Sequence, residues 1–225
     1  MTRNTPSRLP PIRPAFRLAL SVAALGVAGP ALAHPHVWIT AKAEIVYAPD
    51  GKVTAIRHAW TFDPAYSSYA TQGLDKNGDG VLTPDALQDL AKENAESLAD
   101  FDYFTVLKAN GSKPAFEGPR DYRMTYEDGR LTLAFVLPLK TPVRANKVLT
   151  LEVYDPTYFV DFSMAEGADA VRLAGAPKGC AATVMRPKPI KAADTQQLSE
   201  AFFLALTAAQ NFGADAASRI IVACP

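Results

Sequence analysis

Two of the chain's three histidines lie two residues apart, in the segment His34-Pro35-His36. Neutral imidazole nitrogens bind zinc, copper, nickel and cobalt ions. If the segment begins a strand, alternation places both imidazoles on one face, close enough to bind one ion. A cut directly before His34 would add a free α-amine as a third nitrogen. The segment therefore predicts a transition-metal site, and the alternative is the flexible polar start of a strand.

Pro35 limits how such a site can bind its metal. An amino-terminal chelate with histidine in third place needs deprotonated backbone amides, and the nitrogen of proline carries no hydrogen to lose. The predicted ligands are therefore the amine and side chain of His34 together with His36. Asp63 is a further candidate, because the expected pairing of the first two strands places it opposite Trp38 on the histidine face. Asp63 also precedes a proline, so the alternative is an N-cap of the next helix.

The third histidine, His58, is predicted to lie in the core. In a hairpin that turns at Asp50-Gly51, it pairs with Ala43 on the apolar face, on the order of 20 Å along the strand from His36. We therefore expect a hydrogen-bonded core histidine and not a ligand. A copper redox enzyme would need a further histidine at bonding distance, so this placement disfavours that function.

Residues 75–86 resemble the calcium-binding loop of an EF-hand. The candidate oxygen ligands are Asp75, Asn77, Asp79, the carbonyl of Val81, Thr83 and Asp85. Ala86 stands at the twelfth position, where the pattern has a bidentate glutamate, and Asp85 is an imperfect substitute one residue earlier. We therefore predict weak calcium binding or none, and a structural role for the loop.

The segment YDPTYFVDF, residues 154–162, places acidic side chains among aromatic ones. Asp155, Tyr158 and Asp161 are candidates for a secondary site. The alternative is a turn at Asp155-Pro156 followed by a half-buried strand. The sequence contains no Ser–His–Asp or Cys–His pattern and no glycine-rich phosphate loop, so we predict no catalytic residues.

The two cysteines, Cys180 and Cys224, are predicted to form a disulfide. Closing a loop of this length stabilises a fold by roughly 4 kcal/mol in the chain-entropy description. The alternative is a thiolate metal site, but two cysteines so far apart lack the paired spacing of such sites.

The first 33 residues have the features of a secretory signal peptide. A short apolar run and the cleavage pattern Ala31-Leu32-Ala33 follow four arginines, which are Arg3, Arg8, Arg13 and Arg17. Cleavage would leave 19 basic against 23 acidic residues, a balance that disfavours nucleic-acid binding. We expect an exported protein of residues 34–225 that is not embedded in the membrane after cleavage.

The elements that would position these residues are mostly strands. Alternating apolar residues around Asp50-Gly51 and Asp128-Gly129 predict two β-hairpins. A helix–loop–helix insertion is predicted at about 63–100, its second helix opening at Thr83-Pro84, and a late C-terminal helix at 195–213. The fold class is mainly β (α+β): a single antiparallel β domain with an EF-hand-like insertion and a late helix.

Several motifs together resemble DUF1007, a family of exported bacterial proteins. They are HPHVWI, FDPAYS, DKNGDGVLT, AESLADFDYFT, YDPTYFVDF and NFGADAASRIIVAC, and they extend over essentially the whole mature chain. The resemblance implies a periplasmic component of an uncharacterised ABC-type transport system that is associated with nickel/cobalt-type permeases. The sequence departs from the calcium-loop pattern at Ala86. The hairpins differ from the βαβ units of two-lobed solute receptors, which favours a single β domain that holds or transfers an ion.

Three functions are consistent with these observations. The first is a periplasmic transition-metal-binding accessory protein that exchanges its ion with an inner-membrane metal permease. The second is a copper enzyme, and the third is a metal-free interaction or structural module. The Irving–Williams order favours copper in almost any nitrogen site, so the pattern does not choose among nickel, cobalt, zinc and copper.

Overall fold

The computed structural model describes residues 36–145, 148–187, 214 and 217–225. They fall within one compact unit, Ala33–Pro225. The predicted signal peptide, His34 and the predicted late helix at 195–213 lie outside the described residues.

Ten strands and two α-helices are present in the described ranges, so the mainly β, α+β prediction is confirmed. The strands are β1 (Val37–Tyr47), β2 (Val53–Phe62), β3 (Thr105–Ala109), β4 (Arg120–Glu127), β5 (Arg130–Val143), β6 (Leu149–Val153), β7 (Val160–Met164), β8 (Val171–Ala174), β9 (Ala181–Met185) and β10 (Arg219–Ala223). The helices are α1 (Pro64–Ala70) and α2 (Gln88–Ser97), followed by a 3-10 segment (Leu98–Phe104).

The strands form two sheets. The first has the order β4-β5-β2-β1-β7, with β8 also paired to β1, and the second has the order β3-β6-β10-β9. Most neighbours are antiparallel, as the hairpin signals predict. β7 and β8, however, run parallel to the two halves of β1. This pairing joins segments that are far apart in sequence. The alternation of apolar residues within one strand indicates which face is buried, but it does not indicate which distant strand lies beside it.

The first hairpin has the predicted register over most of its length. Ile45 pairs with Ile56 and Ala43 pairs with His58. The pairs nearer the open end of the hairpin, Ala41 with Trp60 and Ile39 with Phe62, follow the same register. A two-residue turn at Asp50-Gly51, as predicted, would also pair Pro49 with Lys52, and this part of the prediction is wrong. The register shifts by one residue after Val46, so that the Ala48 N–H donates to the Lys52 carbonyl at 2.8 Å. A bulge of this kind leaves the apolar face of the hairpin intact.

The core lies between the two sheets. Inward-facing residues of β1 and β2 belong to the same apolar cluster as Leu151 of β6 and Ile220 of β10. Trp60 is 1% exposed and contacts the rings of Phe135 and Phe162 at centroid distances of 4.9 and 5.0 Å. Alternate residues of β1 are thereby fixed toward the core, which leaves the other face of β1 outward.

The insertion after β2 contains two helices, as predicted, but the second begins later than expected. The Thr83 hydroxyl accepts from the Ala86 N–H at 3.3 Å, and a turn precedes the helix, which begins at Gln88. Leu87 and Ala91 are fully buried, so one side of this segment packs into the core. Among the described residues, no helix has the length and apolarity needed to cross a bilayer.

The predicted disulfide between Cys180 and Cys224 is confirmed. It continues the antiparallel pairing of β9 with β10, whose last pair is Ala181 with Ala223. The preceding Gly179 has φ +86°, and a Cβ there would lie 2.8 Å from the Pro225 ring. Glycine is therefore required for the chain terminus to pack against this turn.

Candidate functional site

The start of β1 presents the histidine face predicted from alternation. His36 is exposed and Trp38 is 49% exposed, whereas Ile39 is buried in the core. The His36 N–H donates to the Phe159 carbonyl at 2.9 Å, and the two rings lie 4.8 Å apart. His34 is outside the described residues, so the structure describes one of the two predicted histidine ligands.

β7 brings a carboxylate to the same face. Trp38 pairs with Asp161 in the parallel register of β1 and β7, and paired residues of neighbouring strands point to the same side of a sheet. Burial raises the pKa of the Asp161 carboxyl, and within the described ranges no hydrogen bond counteracts this effect. A partly desolvated carboxylate without donors is stabilised by a nearby cation. Asp161 is therefore suited to complete a metal site beside His36.

Asp63, the carboxylate predicted as a ligand, lies on the other side of Trp38. Its Oδ1 accepts from the N–H groups of Ala65 and Tyr66 at 2.8 and 3.0 Å, which confirms the alternative role as N-cap of α1. Its Oδ2 accepts from the Trp38 N–H at 3.0 Å. Both oxygens are thus engaged by backbone donors, and a metal would have to compete with them.

The predicted secondary site divides into residues with different roles. Asp155 is 5% exposed, and its carboxylate accepts from the N–H and hydroxyl of Thr157, both at 2.8 Å, and from the N–H groups of Phe159 and Val160, both at 3.0 Å. It is the anchor of the loop and confirms the predicted turn. Tyr158 is buried, and burial, followed by the charge of Asp161, raises its pKa to about 12.

This loop unites two sites that the sequence analysis treats separately. By holding Phe159 against His36, it also places Asp161 on the histidine face. The sequence did not predict that His36 and Asp161 lie on the same face of one sheet, because no local pattern predicts a parallel pairing of β1 with β7. Within the described ranges, no group of three or more His, Cys, Asp or Glu side chains is arranged to hold a metal. The predicted set including His34 extends beyond those ranges.

The roles of the two aspartates in this loop can be separated by matched substitutions. Asp155→Asn is expected to lower the free energy of unfolding by about 2 kcal/mol, because an amide group cannot accept from all four donors. Asp161→Asn is expected to leave stability at pH 7 unchanged or slightly higher, because it removes a charge that burial disfavours. Urea denaturation of both variants measures the difference, and equal losses would contradict these roles.

The calcium-like loop is closed by its own backbone. Asp75 accepts from the N–H groups of Gly78 and Gly80 at 2.8 and 2.9 Å, and Asp79 accepts from the Val81 N–H at 2.7 Å. The Asn77 amide donates to the other oxygen of Asp79 at 2.8 Å. Bonds of this kind, from backbone N–H groups to Asp and Asn side chains, stabilise turns, in line with the predicted structural role.

Calcium affinity is expected to respond to position 86. The native loop should show no saturation below millimolar calcium, whereas Ala86→Glu should increase affinity at least tenfold by supplying a bidentate carboxylate. Isothermal titration calorimetry measures the calcium affinity of the native protein and of Ala86→Glu. Ala86→Gln is the control, because its side chain has a similar size but no charge. Micromolar binding by the native loop would contradict the prediction.

His58 lies in the core, as predicted. It is 3% exposed, and its ring stacks on Phe135 at 4.9 Å. The Thr105 hydroxyl donates to the Tyr103 carbonyl at 2.8 Å, so the His58 Nε2–H donates to that hydroxyl at 3.3 Å. Nδ1 is left without a hydrogen-bond partner among the described residues. Burial lowers the pKa of His58 to about 3, which keeps the ring neutral.

Comparison with known proteins gives relatives whose names state no activity. The chain is 30% identical over 114 residues to the "Uncharacterized 15.5 kDa protein in trpE 3'region" of Spirochaeta aurantia. This alignment covers 50% of this chain and 81% of that protein. It is also 26% identical over 159 residues to an "Uncharacterized protein" of Haemophilus influenzae. That alignment covers 69% of this chain and 74% of the Haemophilus protein. The family described as "Protein of unknown function (DUF1007)" matches residues 19–224. The chain therefore belongs to the DUF1007 family, as its motifs suggested.

Proposed function

We propose that the protein is a periplasmic transition-metal-binding accessory protein, which exchanges a metal ion with an inner-membrane permease of the nickel/cobalt type. The proposed ligands are the amine and imidazole of His34, the imidazole of His36 and the carboxylate of Asp161. The observation that carries this proposal is the place of Asp161 on the same face as His36, half-buried and without a hydrogen-bond donor among the residues that the structure describes.

The donor set suits a transition metal. Three nitrogens and one carboxylate oxygen provide the four ligands that zinc prefers, and nickel, cobalt and copper also accept this combination. Calcium and magnesium prefer oxygen ligands and would bind poorly here. The metal is the cargo in this proposal, and its identity depends on what the permease carries.

Neighbouring side chains support the ligands. The Phe159 ring packs against the His36 imidazole and restricts its orientation. The carboxylates on either side of Trp38 differ in availability, because Asp63 is bound to backbone donors and Asp161 is not. This difference supports Asp161 as the ligand in place of Asp63. The exposure of His36 supports transfer, because a partner can reach an ion bound there.

The first test is metal titration of the mature protein beginning at His34. Nickel, cobalt, zinc and copper(II) are titrated against a competing chelator, in parallel with a form that has one extra residue before His34. We expect one ion per chain, and at least 100-fold weaker binding by the extended form, because its amine is no longer in place.

Two substitutions identify the carboxylate. Asp161→Asn is expected to weaken binding at least tenfold, whereas Asp63→Asn should have little effect, because asparagine retains the N-cap of α1. His36→Ala should weaken binding as strongly as the extension. Equal and poor binding by all forms would contradict the proposal and favour the metal-free module. Oxygen consumption by the copper-loaded protein would instead favour the enzyme.

A further inference from the structure

A cavity of about 410 Å³ lies beneath the β1–β7 end of the first sheet. The inward-facing residues Ile39 of β1 and Phe162 of β7 line one side. Leu98 and Phe104, from the segment that follows α2, line the other. Most of the cavity is therefore on the opposite side of β1 from the exposed His36, and Phe159, which packs against His36, forms part of its rim. What distinguishes this cavity is its lining, which is mainly apolar and aromatic.

The cavity has the size and walls of a site for a small organic molecule. Ligand pockets commonly measure 300–1,000 Å³ and are lined mainly by apolar and aromatic side chains. The walls here are of that kind, and two of their members reach the surface. Phe101 is 54% exposed and Phe159 is 46% exposed, so the cavity is open to solvent where these rings lie.

Most polar side chains of the lining are already paired within the protein; the exception is Trp60, whose buried indole N–H has no acceptor among the described residues. The carboxylate of Asp155 accepts from four donors, and the Ser97 hydroxyl donates to the Asn94 carbonyl at 2.9 Å. The Asn94 amide accepts from the Tyr66 hydroxyl at 3.2 Å and donates to the Leu90 carbonyl at 2.9 Å. The described lining contains no lysine or arginine. An ionised head group would thus find no counter-charge there.

The outer wall is built from a strained segment. Asp102, Tyr103 and Phe104 have φ values of 49°, 58° and 47°, in the left-handed region that non-glycine residues rarely occupy. Each such residue costs about 1–2 kcal/mol. Backbone strain of this kind persists only where the surroundings impose it, and it is concentrated at ligand sites. The segment stacks Phe101 on Phe104 at 5.1 Å, and these rings form the wall of the cavity.

We propose that this cavity binds an uncharged, apolar small molecule. The size and aromatic walls select an apolar ligand, and the absence of a counter-charge in the described lining selects against an ionised one. The proposal concerns the inner face of β1 and does not depend on metal binding at the outer face.

The test uses the full mature protein, treated with a chelator, and the fluorescent probe N-phenyl-1-naphthylamine. We expect saturable binding of one probe per chain, displaced by 1-decanol at least tenfold more effectively than by decanoate at pH 7.5. Absence of saturable binding would overturn the proposal. Equal displacement by decanoate would overturn the uncharged class of ligand.

Cavity-filling variants locate the bound probe. Val160→Phe and Val37→Phe enlarge side chains that line the cavity and are expected to weaken probe binding at least tenfold. Phenylalanine is favoured in strands, so both positions tolerate it locally. Val148→Phe, at an exposed position away from the cavity, is the matched control and should bind as the native protein does.

Phe101→Ala, at the exposed rim, tests the same wall without altering the core. It is expected to weaken probe binding severalfold, and near-ultraviolet circular dichroism confirms that each variant is folded. Native affinity in both cavity-filling variants and in Phe101→Ala would overturn the proposal.

Discussion

Breaking the Cys180–Cys224 disulfide is expected to lower the free energy of unfolding by about 4 kcal/mol. The bond joins residues 44 positions apart, and its main effect is to restrict the unfolded chain. The native sheet should survive the loss, because β10 also pairs with β6. Urea denaturation of native protein and of a variant with both cysteines replaced by serine measures the change.

Reduction of the native protein provides the control for the serine variant. Both forms lack the cross-link, so their midpoints and slopes should agree, while the oxidised protein unfolds at higher urea. A serine variant as stable as the oxidised protein would contradict the prediction. A single replacement, Cys180→Ser, should resemble the double variant, because either change removes the bond.

Acidification from pH 6.5 to pH 4 is expected to lower the free energy of unfolding by about 3 kcal/mol through His58 alone. Burial depresses the folded-state pKa of this base from 6.5 to about 3. Between these two pKa values, His58 is protonated in the unfolded chain and neutral in the folded protein. The contribution of His58 is complete above pH 6.5 and is lost as pH falls toward the folded-state pKa.

His58→Phe isolates this effect from other titrating groups. The substitution retains an aromatic ring beside Phe135, and Thr105 keeps its bond to the Tyr103 carbonyl. Other carboxyls, including Asp161, titrate in both proteins, so the difference between the two pH profiles belongs to His58. Parallel profiles between pH 6.5 and pH 4 would contradict the prediction.

The local architecture was predictable from the sequence because alternation and turn chemistry act over a few residues. Asp128-Gly129 marks the second hairpin, and the observed pairing of Glu127 with Arg130 confirms it. The buried place of His58 follows from the same reasoning. The late start of α2 was missed because Thr83 caps a turn that closes with i→i+3 bonds, from the Leu87 N–H to the Pro84 carbonyl and from the Gln88 N–H to the Asp85 carbonyl, before the regular helix begins.

The candidate site was only partly predictable. The sequence indicated His36 and both flanking aspartates, but it did not show which aspartate is available. That difference arises from hydrogen bonding, because the oxygens of Asp63 cap α1 whereas Asp161 lies beside Trp38 without donors. It also arises from parallel pairing, which depends on the whole sheet and not on any short segment.

The parallel pairing of β1 with β7 has a consequence for when the site forms. Residues of β1 pair with partners roughly 120 positions later in the chain. Contacts of such long sequence separation form slowly, because the chain must lose the conformational entropy of a long loop before the contacts can stabilise it. His36 can therefore pack against Phe159, and share a face with Asp161, only after hairpins such as β1–β2 have assembled. In a refolding experiment, the metal binding proposed above should appear with the last and slowest step, after most of the secondary structure is already present.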